Sequence, residues 1–368
     1  MLKYILLFIR KGKLMKNNHN LLMKMKNLEK FSGAIKRCVA IAMASMLFAT
    51  TGFSLDTHPV KAQEVSSSAD KIEIPEISKD AFKKYKKISG IGANTILGAD
   101  FTYYQQCLEW GKSYKNYMSQ SVDNIFDYVK SQGINTISLK VAVNPTGENA
   151  YLSLENAIKT LKAVKASNTN LKTNLVLLYS DEITYAGTQN LPADWEKAEK
   201  EEQSVTRVES AKTYTRETIA KLKQANVLPD IVTIGNEVNW NFLGITDGEG
   251  WEGWKAMGDI SALLKKEGVK NAVSIAAQPD AASVKYIVQK LGYASVDYDY
   301  IGVNVYPDNN TNSYIKSLKN EVESCAPDKQ LIVSNVEYER VNEANTANVY
   351  TQADSIYNLL EATIDEKN

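Results

Sequence analysis

Two glutamates in this chain each follow an apolar run that is typical of a buried strand. Glu237 comes directly after "IVTIGN", and Glu337 comes directly after "LIVSNV". A carboxylate at such a position is unfavourable unless a partner or a reaction uses it. Two carboxylates in one cleft can hydrolyse a glycosidic bond, because one protonates the leaving oxygen while the other attacks the anomeric carbon. Either glutamate alone is better explained by helix capping or a lysine partner, so only the pair predicts this chemistry.

The distribution of histidine excludes several other kinds of catalysis. Both histidines, His19 and His58, lie before Gln63, in a stretch that we expect to be removed. The rest of the chain therefore has no histidine for a Ser-His-Asp site or a His-ligated metal. It also has no glycine-rich phosphate loop, and Cys107 and Cys325 are too far apart in sequence to form a metal motif. We expect neither a metal nor a cofactor.

Residues 1–62 have the composition of a signal peptide with a long basic first part. They hold 11 Lys and Arg but only two acidic residues, and the apolar run "CVAIAMASMLFATTGF" precedes an A-x-A-like cleavage site at residues 60–62. We predict a mature start near Gln63 and a secreted, extracellular protein without membrane contact after cleavage. The alternative is that the apolar run remains as a membrane anchor. Residues 63–89 are polar and predict a linker or an N-terminal arm.

The mature chain is acidic and rich in aromatic residues. After residue 62 it carries 32 Lys and Arg against 41 Asp and Glu, a net charge of −9. An acidic surface repels the phosphates of nucleic acid, so we expect no nucleic-acid partner. The 20 Tyr and five Trp of the chain offer flat rings that can stack on sugars. We expect a polysaccharide as partner and a monomeric protein.

From residue 90 onward, apolar runs alternate strictly with helical patterns. One of these, "SVDNIFDYVKSQG", predicts a helix with Ser121 as N-cap and Gly133 after its end. The runs are apolar throughout, as in a parallel sheet that is covered by helices. We count seven strands, which begin near Asn94, Ile134, Thr173, Ile231, Ala272, Tyr298 and Leu331.

Two architectures fit this alternation, an open doubly wound sheet and a (β/α)8 TIM barrel. The doubly wound fold usually has a glycine-rich first turn, which this chain lacks. A barrel carries its functional residues at the carboxyl ends of its strands. Polar residues occupy that position along this chain, so we predict the barrel. They are Asp100, Asp181, Glu237, Asp280, Tyr306 and Glu337.

Six segments follow, in order, the motifs of one enzyme family. They are "GADFTYYQQCLEWGKSYK", "GINTISLKVAVNP", "YSDEITYAGTQNLPADW", "VTIGNEVN", "YDYIGVNVYP" and "LIVSNVEY". In these segments the chain resembles glycoside hydrolase family 53, the arabinogalactan endo-β-1,4-galactanases, which are retaining (β/α)8 enzymes of clan A. The resemblance extends over roughly residues 92–338. It implies a catalytic barrel over residues 90–368.

The resemblance also implies roles for individual residues. Glu237 matches the acid/base, Glu337 the nucleophile, and Asn236 a residue that contacts the sugar 2-hydroxyl. Further substrate-binding positions are Tyr306, Asp100, Lys140, Asp181 and Trp240. Plain alternatives remain open from the residues themselves: a turn amide for Asn236, a helix cap for Asp100 and a core or rim aromatic for Tyr306. Trp240, Trp251 and Trp254 all follow the fourth strand, and each either stacks on sugar or packs in the core.

The chain departs from the family pattern at several points. Lys140 stands where the family usually has Arg. The lysine keeps the positive charge but lacks the planar guanidinium group that can donate two parallel hydrogen bonds. Leu178 stands where the family has His, and the strand-five His is also missing. After Glu337 one helix follows, without a match to the family's eighth strand. Either the polar stretch before Gly90 takes the place of that strand or the barrel is truncated. We predict a truncated barrel that exposes the edges of its first and seventh strands, and a weakly active or unstable product.

Three functions remain open. The first is a secreted, retaining endo-glycanase that hydrolyses β-1,4-galactan or arabinogalactan by double displacement. The second is a carbohydrate-binding pseudo-enzyme, since several substrate-shaping residues have changed. The third is a clan A glycosidase with another β-glycan specificity, against which the "GADFTYY" and "YSDE" segments argue.

Overall fold

The computed structural model describes the chain from residue 84 to residue 364, with gaps. The described residues are 84–92, 94–116, 120–201, 206–246, 250–276, 281–305, 311–336 and 349–364. The predicted signal peptide, most of the predicted arm, Asp280, Tyr306 and Glu337 lie outside them. No helix in the described part of the chain is both long and apolar enough to cross a lipid bilayer.

In the described part of the chain, seven strands form one parallel sheet, which confirms the number predicted from the apolar runs. They are β1 (Gly98–Asp100), β2 (Thr136–Val141), β3 (Lys172–Leu177), β4 (Ile231–Ile234), β5 (Lys270–Ala276), β6 (Tyr300–Val305) and β7 (Gln330–Val336). The strands are hydrogen-bonded to one another in the order in which they occur along the chain. A doubly wound sheet reverses its strand order at a switch point, so the observed order is that of a TIM barrel. Among the described residues, no strand pairs with the outer edge of β1 or β7.

Helices cover the outer face of the sheet and connect its strands. They are α1 (Tyr104–Glu109), α2 (Ile125–Ser131), α3 (Leu154–Ala166), α4 (Ala193–Glu201), α5 (Arg207–Gln224), α6 (Glu252–Lys266), α7 (Ala281–Tyr293), α8 (Thr311–Cys325) and α9 (Val349–Thr363). A 3-10 helix spans Gly147–Leu152. Two short antiparallel pairs join Tyr114–Lys115 to Ser121–Val122 and Asn241–Phe242 to Ile245–Thr246. The large apolar core lies between the helices and the strands.

The prediction that Ser121 caps the second helix is wrong. Ser121 belongs to a two-residue strand that pairs with Lys115. The N-cap of α2 is Asn124, whose side-chain oxygen accepts a hydrogen bond from the N–H of Phe126 at 3.0 Å. Ser and Asn cap helices about equally well, so the hairpin, which the local sequence does not reveal, decides between them.

The inner face of the sheet carries polar side chains as well as apolar ones. Asn174 on β3 donates to Ser138 Oγ on β2 at 3.0 Å and accepts from Thr233 Oγ1 on β4 at 2.9 Å. A small apolar layer lies on the same face, made chiefly of Ile231, Ala272 and Tyr300. Because polar groups on neighbouring strands satisfy one another, the barrel tolerates a polar interior.

The carboxyl ends of β6 and β7 are paired through an irregularity. Val303 pairs with Val333 but Asn304 pairs with Asn335, so Ser334 is an extra residue in β7. Such bulges bend a strand and often lie beside functional sites. A Cβ on Gly302 would lie 2.8 Å from both Cβ and Oγ of Ser334. Because glycine has no side chain, position 302 leaves space for the side chain of Ser334.

The residues before β1 contact the last helix. Tyr85 Oη donates to Asp354 Oδ1 at 2.7 Å, and its ring centroid lies 4.9 Å from that of Tyr357. Lys84 Nζ lies 2.6 Å from the same oxygen of Asp354. The hydrogen bonds from Lys84 and Tyr85 lower the pKa of the Asp354 carboxyl. A lowered pKa means that this contact favours folding above the ordinary carboxyl pKa and loses its effect as the pH falls through the lowered value.

Substituting Gly302 tests the close packing of β6 against the bulge. We expect Gly302→Ala to lower the free energy of unfolding by about 1–3 kcal/mol, because the new methyl group meets the Cβ of Ser334. Gly98→Ala is the matched control, since a Cβ there meets only Thr136 O, at an ordinary 3.6 Å. Urea unfolding of both variants measures the difference. Equal stability of the two variants would show that Ser334 moves aside freely.

Candidate active site

Glu237 lies in a tight turn that follows β4. The turn Gly235–Asn236–Glu237 begins directly after Ile234, and Asn236 and Glu237 are both buried. Gly235 and Glu237 have φ values of 71° and 56°, in the left-handed region. A Cβ on Gly235 would lie 2.3 Å from a methyl carbon of Val238, so glycine is needed there. A non-glycine residue in this conformation is strained unless its surroundings hold it.

Two N–H groups from distant parts of the chain bind the Glu237 carboxylate. Its Oε2 accepts from the backbone N–H of Ala186 at 2.9 Å, and its Oε1 accepts from Asn304 Nδ2 at 2.9 Å. Ala186 lies in the loop after β3, and Asn304 lies near the end of β6. The side chain is thus aimed by groups on both sides of β4. The next helix, α6, begins only at Glu252, so Glu237 is not its N-cap.

Asn304 joins four strands through one amide. Its Nδ2 also donates to Asn236 Oδ1 at 3.0 Å, while its Oδ1 accepts from Ser274 Oγ at 3.3 Å and from Ser334 Oγ at 2.8 Å. Asn304 lies within the segment "YDYIGVNVYP" but was not among the predicted site residues. The available signal is a polar residue inside an otherwise apolar run that predicts a buried strand.

Asn236 is held by the loop that follows β3. Its Nδ2 donates to Thr184 O at 2.6 Å, and its backbone carbonyl accepts from Thr184 Oγ1 at 3.0 Å and Gln189 Nε2 at 2.9 Å. The Asn236 side chain therefore makes hydrogen bonds that stabilise the turn, as the alternative of a turn amide predicts. Its predicted contact with a sugar hydroxyl stays a prediction.

Asp100 and Lys140 form an ion pair at the ends of β1 and β2. Lys140 Nζ contacts Asp100 Oδ2, and the other oxygen of Asp100 accepts from the N–H of Thr102 at 2.8 Å. Thr102 Oγ1 in turn accepts from the N–H of Lys140 at 2.9 Å. The side chains are 34% exposed for Asp100 and 12% for Lys140, so the carboxylate partly faces solvent. Asp100 stabilises the turn before α1 and neutralises the lysine.

Asp181 and Tyr179 organise the segment after β3. The Asp181 carboxylate accepts from the N–H groups of Asn144 at 2.9 Å and Ala193 at 3.0 Å, which ties two neighbouring loops together. Tyr179 is buried with a φ of 54°, and its hydroxyl lies 2.9 Å from Thr215 Oγ1. Burial raises the pKa of the Tyr179 phenol, so this group stays protonated and serves packing.

The three tryptophans after β4 have different surroundings. Trp254 is 4% exposed and packs in the core, whereas Trp240 and Trp251 are 40% and 38% exposed. The Trp240 ring lies 5.8 Å from the Tyr286 ring on α7. The packing alternative therefore holds for Trp254, and the two exposed rings remain available for stacking.

Strands β6 and β7 lead directly to the two predicted site residues outside the described part. Val305 and Val336 end these strands and pair with each other, immediately before Tyr306 and Glu337 in the sequence. Within the described residues, no three His, Cys, Asp or Glu side chains form a group that could hold a metal ion.

Comparisons with known proteins point to one enzyme family. The family model of glycosyl hydrolase family 53 matches residues 96–366. An arabinogalactan endo-beta-1,4-galactanase of Cellvibrio japonicus is 29% identical over 232 residues, which is 60% of this chain and 59% of the relative. The corresponding protein of Thermothelomyces thermophilus is 28% identical over 253 residues, 64% of this chain and 70% of that one. The chain thus spans about three-fifths of the length of the Cellvibrio protein.

Two solved structures have the same fold. A GH53 catalytic domain of Ignisphaera aggregans superposes with a TM-score of 0.62 at 20% identity, covering 75% of this chain and 78% of that one. A fungal beta-1,4-galactanase superposes with a TM-score of 0.58 at 21% identity, covering 68% of this chain and 76% of that one. These likenesses confirm the barrel fold. Since the family match extends from before β1 to beyond α9, the chain belongs to glycosyl hydrolase family 53.

Proposed function

We propose that this chain is a secreted, retaining endo-glycanase that hydrolyses β-1,4-galactan or arabinogalactan. The observation that carries the proposal is the setting of Glu237, a buried carboxylate whose two oxygens accept N–H groups from the loop after β3 and from β6. Fixed donors hold a reacting group near its productive orientation, which a surface carboxylate lacks. The names of the relatives, arabinogalactan endo-beta-1,4-galactanases, supply the substrate class.

The proposed reaction has two steps. Glu337 attacks the anomeric carbon while Glu237 protonates the oxygen of the leaving sugar, which gives a covalent glycosyl-enzyme. Water then attacks that carbon while Glu237 takes up its proton, so the configuration is retained. This route needs carboxyl groups about 5–5.5 Å apart.

Exposed aromatic side chains support a sugar substrate. Five of them follow β1, β3 or β4, at the end of the barrel where Glu237 lies. They are Tyr103, Trp110, Tyr185, Trp240 and Trp251. A polysaccharide presents the apolar faces of its rings to such side chains, while its hydroxyls need polar partners. The ion pair of Asp100 and Lys140 offers both an acceptor and a donor at the same end.

Substitution of the two glutamates tests the double-displacement mechanism. We expect Glu337→Gln to abolish hydrolysis of β-1,4-galactan, since an amide cannot attack the anomeric carbon. Glu237→Ala should slow the reaction strongly, and added azide should restore turnover of an activated aryl glycoside, because azide attacks the glycosyl-enzyme without a general base. Reducing-sugar release and product analysis measure both effects.

The matched control is Glu217→Gln, an exposed glutamate on α5, which should retain the wild-type rate. Wild-type rates in both active-site variants would contradict the assignment. Tight binding of galactan by the wild type without any product would instead identify a carbohydrate-binding pseudo-enzyme. Hydrolysis of another purified β-glycan in preference to galactan would identify a different specificity.

Asn304→Asp tests whether the amide orients Glu237. The change keeps the oxygen that accepts from Ser274 and Ser334 but replaces the donor to Glu237 by an acceptor. A hydrogen bond to a charged group contributes about 1.5–3 kcal/mol, so we expect kcat to fall about tenfold to a hundredfold. Asn174→Asp is the control, because Asn174 also bridges strands inside the barrel but bonds Ser138 and Thr233. Equal loss of kcat in both variants at equal thermal stability would rule out a specific role of Asn304.

A further inference from the structure

Four side chains form a continuous row that begins three residues after Glu237. The Trp240 ring lies 5.8 Å from the ring of Tyr286. Lys290 Nζ lies 5.0 Å from the Tyr286 ring and 5.2 Å from the Trp251 ring. We call Trp240, Tyr286, Lys290 and Trp251 the aromatic row. Tyr286 and Lys290 are four residues apart on α7 and so lie on the same face of the helix.

The two ends of the aromatic row are open to solvent. Trp240 and Trp251 are 40% and 38% exposed, while Trp254, three residues after Trp251, is 4% exposed. Two tryptophans therefore keep large apolar surfaces at the rim, although the core takes up a third one nearby. Exposed apolar surface that is grouped in one place marks a binding site more often than isolated exposure does.

The lysine holds the two halves of the row in place. A cation near a ring face is attracted by the ring quadrupole, and here one ammonium group lies near both Tyr286 and Trp251. The rings lose little conformational freedom when a ligand arrives, which favours binding. Rings placed one after another fit an extended, uncharged sugar chain, whose units offer their C–H faces in succession.

The position of the row indicates which part of the chain it binds. Trp240 and Trp251 lie between β4 and α6, and Tyr286 and Lys290 lie on α7, after β5. The acid Glu237 follows β4 on this side, whereas the nucleophile Glu337 follows β7. A general acid contacts the oxygen of the leaving sugar. Sugars that continue from the leaving group therefore run toward the aromatic row.

We infer that the aromatic row is a binding site for neutral β-linked hexose units on the leaving-group side of the cleaved bond. The inference rests on the proposed function, because it uses Glu237 as the acid. It makes the row a determinant of cleavage position: stacking on Trp240 and Trp251 holds several units beyond the bond that breaks. The products released from the reducing end are then oligosaccharides rather than single sugars.

A β-1,4-linked galactohexaose labelled at its reducing end tests this site. In the Glu337→Gln background, Trp251→Ala should raise the Kd for the labelled hexasaccharide about tenfold, which corresponds to about 1.4 kcal/mol. Trp251→Tyr, which keeps a ring, should recover most of the affinity, and Trp240→Ala tests the other end of the row. In the active enzyme, Trp251→Ala should shift cleavage toward the label, so that the labelled products become shorter.

Tyr293→Ala is the control, because Tyr293 ends the same helix and is 75% exposed but is not part of the row. The inference is overturned if Trp251→Ala and Trp240→Ala keep the Kd of the Glu337→Gln parent and the product pattern of the active enzyme, or if Tyr293→Ala changes them as much. Failure of the wild type to bind the hexasaccharide overturns it as well. A wild type that binds but does not hydrolyse contradicts the proposed function alone, and the Kd comparison then still decides whether the row binds sugar.

Discussion

The geometry of the candidate site depends on one buried amide, that of Asn304. Its nitrogen donates to Asn236 and to Glu237 in the turn after β4, and its oxygen accepts from Ser274 on β5 and Ser334 on β7. Two donors and two lone pairs are the full capacity of an asparagine side chain. Four neighbouring strands are thereby held in one arrangement at the end of the barrel where the carboxylate lies.

This arrangement needs a barrel interior that is polar and has room. Many TIM barrels fill their interior with branched apolar residues, but here Gly302 leaves space for Ser334, and Asn174 is hydrogen-bonded to Ser138 on one neighbouring strand and to Thr233 on the other. The stabilising apolar burial lies instead between the strands and the helices. The apolar core outside the sheet therefore stabilises the fold, whereas the polar interior of the barrel positions the site.

The loop after β3 completes the site by holding a strained turn. Glu237 adopts a left-handed conformation, which costs a non-glycine residue of order 1–3 kcal/mol. Hydrogen bonds from Ala186, Thr184 and Gln189 to this turn offset that strain. The carboxylate is therefore oriented before any substrate arrives, and pre-orientation is a large part of what a catalytic group needs.

Local patterns were sufficient to predict the seven strands, the barrel fold and the position of Glu237 directly after a strand. Each of these features depends on residues that are close together in sequence. Asp100 was likewise predicted at the end of β1, but its partner Lys140 lies 40 residues away and emerges only when β1 and β2 pair. The helix prediction at Ser121 failed for a different reason: Ser and Asn cap helices about equally well, and Ser121 is taken up by the hairpin with Lys115.

The sequence by itself determined the fold class, through apolar runs that alternate with helical stripes. It also indicated Glu237 as a candidate catalytic carboxylate, through the Gly-Asn-Glu that directly follows an apolar run. Tertiary structure alone decided that Asn304 orients this carboxylate and that Trp240 and Trp251 are exposed while Trp254 is buried. A local sequence pattern does not show which of several tryptophans is exposed and which is buried. Their burial and hydrogen-bond partners are set by distant segments that meet only when the barrel has formed.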